Sequence, residues 1–218
     1  MVKKYEITSD CKTVDGVKVC RVKALRDIKT KYYTVKKGDL GGYVEKESNL
    51  SQIYEAWVKG NAMVKGDARV YDNAWVSDNA VVGGNASVSG KAVVKDDAVV
   101  RDNAWIKGDA VVGGSARVEG SAWVFGDAVV VGNASVSGEA IVSNNAWVSD
   151  NANVEDDALI SGNAVVEGTT KVECRTRLSD SVKVSGGKVC ASEDIVFDSQ
   201  KKLDNYLKDV KKYEDIKE

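Results

Sequence analysis

The chain has 218 residues, 43% of them apolar and 29% charged, with a net charge of −2. That balance describes a soluble globular protein, and no apolar run approaches the ~20 residues a membrane span needs. It contains no His and no Pro; the first removes the commonest general base, and the second fits a chain made almost wholly of hydrogen-bonded ladder, to which Pro cannot donate.

Residues 1–50 read as a small β cap. Met1-Val2-Lys3-Lys4 leads into Tyr5-Glu6-Ile7-Thr8 without the apolar core of a signal peptide, so a cytoplasmic location is the expectation. Alternation in Tyr5–Thr8 and again in Val17–Val22 predicts strands. Cys11 and Cys20 flank the Val14-Asp15-Gly16 turn and can face each other across a hairpin. In a cytoplasmic protein they read as reduced packing thiols rather than a disulfide. Cys174 and Cys190 stand far off, and metal binding would need closer ligands and usually His. Gly38-Asp39-Leu40-Gly41-Gly42 predicts a turn leading into the first coil of a repeat.

Residues 51–197 are that repeat, with a period of six. In the unit Trp57-Val58-Lys59-Gly60-Asn61-Ala62, the Val position is Val, Ile or Leu at every recurrence from Val58 to Val184, and Cys190 and Val196 extend the phase. The Ala position is Ala at all 19 recurrences from Ala56 to Ala164. Ala and Val stand two apart, so both point to one side of a short strand while the residue between them points out. Gly or Asp followed by Asn, Asp or Ser then turns a corner, because these types tolerate left-handed backbone angles. Three hexads closing a triangle predict a single-stranded parallel left-handed β-helix of about 18 residues per coil and roughly eight coils, ~38 Å long. Its inward Val and Ala leave no room for a ligand.

Outward residues then fall into three columns. One reads Trp57, Trp75, Val93, Val111, Val129, Trp147, Val165, all apolar. A second, Arg69, Ser87, Trp105, Trp123, Ile141, Leu159, Arg177, is apolar in its middle. The third, Met63, Val81, Val99, Arg117, Ser135, Asn153, Lys171, turns polar halfway. An exposed apolar patch of this extent marks an interface, and the first two columns make the candidate one. A homo-oligomer, trimer or dimer, is the expected partner, and a trimer axis parallel to the rod suits the triangular section.

Charge is uneven along the rod. Residues 1–50 carry 12 bases and 7 acids, residues 51–168 carry 8 and 16, and residues 118–170 hold eight acids and no base. Eight acids over about three coils approach the charge density of DNA, one per ~1.7 Å, so an acidic nucleic-acid mimic is a second alternative; direct nucleic-acid binding is not expected. Residues 198–218 predict an amphipathic helix, capped by Asp198 or Ser199 and running to about Lys217, with Leu203, Tyr206, Leu207, Val210, Tyr213 and Ile216 on one stripe. Folding back over the terminal coil is the simplest use of that stripe; an intersubunit contact is the other.

The wording Gly38-Asp39-Leu40-Gly41-Gly42-Tyr43-Val44, then Asn49-Leu50-Ser51 and tandem Asn-Ala-x-Val-x-Gly units, resembles the YdcK-type hexapeptide-repeat β-solenoid proteins. The resemblance implies a solenoid of the left-handed β-helix class, found in bacteria and their phages. A scaffold and a phage- or mobile-element-encoded factor that binds a host protein are the two roles such a rod could take. It also brings an acyltransferase label given by analogy. Such enzymes use a His base, which no residue here can supply. Asp96-Asp97 and Asp156-Asp157 sit in the corner phase where acids are expected, and Ser115 and Ser121 lack a partner base. The expectation is therefore a non-enzymatic structural or interaction module without cofactor or metal, an acyltransferase-like transferase being the alternative.

Overall fold

The computed structural model describes residues 3–29, 33–191 and 195–215. Every sixth residue from 54 to 186 is left-handed, with φ between 54° and 85°. Gly, Asp or Asn fills these positions except at Tyr54 and Cys174, as expected where an ordinary side chain costs ~1–2 kcal/mol. Between corners only two residues remain fully extended, as in Val81–Val82. Alone such a strand would be unstable, but along the middle of the rod each is hydrogen-bonded to a strand of the coils before and after it. Val82 pairs in parallel with Val64 on one side and Val100 on the other, 18 residues away in each direction. The result is a β-solenoid of about eight coils whose faces are three parallel sheets.

Its interior is apolar and closed. The Ala from Ala56 to Ala164 and the Val, Ile and Leu from Val58 to Val184 are all buried, each Val contributing roughly 1.5 kcal/mol or more by leaving water. Corner acids do more than tolerate the bend. Asp72, Asp96, Asp102, Asp150 and Asp156 each accept, through Oδ2, the backbone N–H of the corner residue one coil on. The edges also carry Asn ladders, in which Asn85 Nδ2 donates to Asn103 Oδ1 and Asn145 Nδ2 to Asn163 Oδ1.

The period fails at both ends. Tyr43 pairs with Met63 and Leu50 with Val70, offsets of 20 residues, while Trp57 pairs with Trp75 at 18. Two extra residues therefore lie between Leu50 and Trp57, beside left-handed Tyr54. At the far end Val172 pairs with Val189, 17 on, and Leu178 with Phe197, 19 on. The sequence phase through Cys190 and Val196 is thus overturned. A one-residue slip exchanges the two sides of a strand, so Val189 and Phe197 turn inward while Val196 is exposed.

Before the first coil, β1 (Tyr5–Val14) and β2 (Val17–Ala24) form an antiparallel hairpin closed by Asp15-Gly16, both at positive φ, the pairing geometry of a two-residue turn. A short pair, β3 (Ile28–Lys29) and β4 (Thr34–Val35), comes next. The expected turn at Gly38–Gly42 is instead mostly strand β5 (Leu40–Val44), antiparallel to β2 and parallel to the next coil. Sheet one thereby runs from the hairpin into the solenoid and its edge is covered. Gly41 and Gly42 permit this approach, since a Cβ on them would lie 2.6 Å from the carbonyl oxygens of Val58 and Ala62.

At the other end α1 (Gln200–Asp215) begins directly after Ser199 and folds back on the last coil. Leu203 is buried, the Tyr206 ring lies 5.1 Å from that of Phe197, and Tyr206 Oη donates to the Cys190 carbonyl at 2.5 Å.

The cysteines form two disulfides, Cys11–Cys20 and Cys174–Cys190, correcting the expectation of reduced thiols at Cys11 and Cys20. The register explains both pairs. Cys11 is directly opposite Cys20 in the hairpin, and the slip near Val189 sets Cys190 opposite Glu173, next to corner Cys174.

Candidate interaction surface

Each two-residue strand sends one side chain inward and one outward, so the outer surface is built from the columns that the spacing predicts. Trp57 and Trp75 do not belong to the open surface. They are 1% and 4% exposed, covered by the N-terminal cap. Tyr5 meets Trp57 edge-on at 6.5 Å, and the Tyr33 ring stacks on Trp75 at 4.1 Å. Nothing in the repeat's spacing could reveal this, because the covering residues come from outside it. The rest of the first column, Val93, Val111, Val129 and Val165, is half-buried, and Trp147 is 43% exposed.

On the second face Trp105 and Trp123 stand one coil apart and stack with planes 6° from parallel and centroids 5.1 Å apart. They are 39% and 44% exposed. Ile141 and Leu159 continue the column half-buried, and Arg69 and Arg177 bound it. The third face holds Met63, Val81 and Val99 and then the polar run from Arg117. Of the predicted helix stripe, Leu203, Tyr206, Leu207 and Val210 line or bury the contact with the last coil, while the side chains of Tyr213 and Ile216 lie outside the described residues.

The acidic stretch is less bare than its sequence. Glu119 meets Arg101 at 2.8 Å, Glu155 meets Lys171 at 2.5 Å, Glu167 meets Lys183 at 2.8 Å and Asp157 meets Arg175 at 3.8 Å. Asp150 and Asp156 are engaged by backbone N–H groups. The picture of eight unpaired acids, which the mimicry alternative needs, is overturned. The bases come from neighbouring coils 16 to 18 residues away in sequence, a relation that a linear charge count cannot see.

The residues weighed for chemistry are also committed elsewhere. Asp96 Oδ2 accepts from Gly114 N at 2.9 Å and Asp97 Oδ1 from Asn79 Nδ2 at 3.0 Å. Glu173 comes near Cys174 and Cys190, but both sulfurs are in the disulfide, which leaves one carboxylate. That carboxylate is clamped by Lys171 at 2.6 Å and by Lys188, and these hydrogen bonds pull its pKa down to about 2. This trio does not offer the thiolates that a soft metal would require.

No helix among the described residues is long and apolar enough to cross a membrane. No curated protein matches the chain. The YdcK β-solenoid repeat family matches residues 68–84, about one coil. The matched coil pairs on both sides with others of the same period along the whole rod, and the match and the rod together support a YdcK-type β-solenoid.

Proposed function

We propose that this protein is a non-enzymatic interaction rod that self-associates through the first-face column Val93, Val111, Val129, Trp147 and Val165. One observation carries the reading: five successive outward positions hold no polar side chain over four coil spacings, ~19 Å, and the fourth is a tryptophan 43% exposed. A solvated face has no use for such a run, and Trp concentrates where partners bury it. A second copy suits it because a straight, uniform column can meet its own image about a two-fold or three-fold axis. Trp105, Trp123, Ile141 and Leu159 lie on the adjoining face and serve a different contact. The two disulfides favour an oxidising compartment over the cytoplasmic one expected from the sequence.

Light scattering behind size exclusion tests the reading. The expected mass is two or three times 23.4 kDa, falling to the monomer in Val129→Lys. A wild-type monomer across micromolar concentrations refutes self-association; retention of the oligomer in Val129→Lys refutes the assigned face. A host protein bound by a phage-encoded factor would dock on the same column and leave the free protein monomeric.

A further inference from the structure

The second face carries a trough that neither the repeat nor the self-association reading uses. In its column the order is Arg69, Ser87, Trp105, Trp123, each paired with the next one coil on. One face of the Trp105 indole is taken by Trp123. The other looks along the rod over Ser87, whose small side chain leaves that rung almost empty. The resulting open cavity runs from Ser48 and Ser51, past Arg69 and Tyr71, over Ser87 to Trp105. Residues 49–50 are in register with residues 69–70, so the trough spans three coil spacings, ~14 Å.

Its lining is mixed in a particular way. The end wall is a flat indole, the floor and sides present four hydroxyl-bearing side chains, and among the described residues Arg69 makes no ion pair: the nearby Asp67, which feels its charge, is paired with Lys46. We propose that this trough binds a short acidic saccharide, one or two pyranose rings bearing a carboxylate. The apolar C–H face of a pyranose packs on the free face of Trp105, as the edge of an aromatic ring would. Ring hydroxyls exchange hydrogen bonds with Ser48, Tyr71 and Ser87, each of which both donates and accepts; Ser51 Oγ, which donates to the Ile53 carbonyl and accepts from Ile53 N, shapes the wall instead. The carboxylate meets Arg69 in a bidentate pair. A nucleotide fits less well. Its base would need amide or backbone groups to read its edge, and its phosphate would need more than one cation.

The test is a titration of the full-length protein with digalacturonate, followed by tryptophan fluorescence and by NMR shifts of the indole N–H groups. Saturable binding with shifts concentrated at Trp105 is expected. Arg69→Ala should weaken it at least about tenfold, or 1.4 kcal/mol, and bring it level with the neutral disaccharide maltose. Ser87→Trp, which fills the empty rung at a position where the next two rungs already carry Trp, should abolish binding while the far-ultraviolet circular dichroism stays unchanged. No saturation by about 10 mM digalacturonate (the weak end of specific recognition), undiminished binding by folded Ser87→Trp, or tighter binding of adenosine monophosphate each overturns the proposal. Val129→Lys, which breaks the oligomer, should leave digalacturonate affinity unchanged, so the two readings fail separately.

Discussion

Between Val58 and Val184 the inside of the rod holds only Ala, Val, Ile, Leu and, near its end, Thr170 and Thr176. The N-terminal end instead buries Lys4, Tyr5 and Trp57, and the C-terminal end buries Phe197 and Leu203 against a helix. Hydrogen bonding explains the contrast. In the middle, each coil satisfies the backbone groups of its neighbours. At the ends, side chains must replace the missing coil. Lys4 Nζ donates to the Ala56 carbonyl at 2.7 Å, Tyr5 Oη to that of Leu50 at 2.7 Å, and Arg21 to that of Gly41 at 2.8 Å. At the other end Gln200 Oε1 accepts from Lys183 N and Thr176 Oγ1 from Ala191 N, each at 2.9 Å. Both disulfides also lie in these irregular parts. A repeating interior can be uniform and apolar, whereas its termini need special chemistry and covalent staples.

The largest effect should come from violating the uniform interior. Val118→Asp places a charge at a fully buried mid-rod position and should cost more than about 4 kcal/mol, so that circular dichroism shows loss of the cooperative transition. A stable, two-state Val118→Asp protein would mean that the middle tolerates polar groups as the ends do.

The N-terminal end should instead respond to pH. Burial pushes the Lys4 ammonium down to about 7, with Glu55 opposing and Arg26 reinforcing that shift. The unfolded chain holds its proton up to a higher pH than the folded one. Stability should therefore rise between about pH 7 and pH 10, by up to ~1.4 kcal/mol per unit from this group. Urea denaturation across that range checks it, and Lys4→Met should flatten the slope.

The C-terminal staple should matter locally. Cys174→Ser with Cys190→Ser opens a link with a sequence separation of 16, worth about 3 kcal/mol. Hydrogen exchange should then quicken in residues 171–215 and stay unchanged in residues 80–150. Equal loss in both would show that the rod unfolds as one unit.

The smallest contrast uses two corner glycines. A Cβ on Gly120 would lie 2.9 Å from the Gly138 carbonyl oxygen, while one on Gly186 meets nothing within 4 Å. Both positions are left-handed, so Gly186→Ala should cost about 1 kcal/mol and Gly120→Ala about 2 or more, read as midpoint shifts in urea. Equal shifts would mean that the neighbouring coil yields at no cost.

Period, strand length, coil size and the inward residues as far as Val184 were legible in the sequence. Backbone geometry alone couples a two-residue spacing to one side of a strand and a Gly or Asp to a corner, so a local pattern repeated without error determines the rod and its outward columns. Which outward residues remain free was decided by tertiary structure. Trp57 and Trp75 obey the same spacing as Trp147, yet the cap covers them through Tyr5 and Tyr33, and no periodic rule reaches from residue 33 to residue 75. The disulfides, the phase slip that turns Phe197 inward, the acids paired across coils and the trough above Ser87 depend likewise on contacts between segments distant in sequence. Local conformational preferences carry no information about such contacts until the coils have stacked.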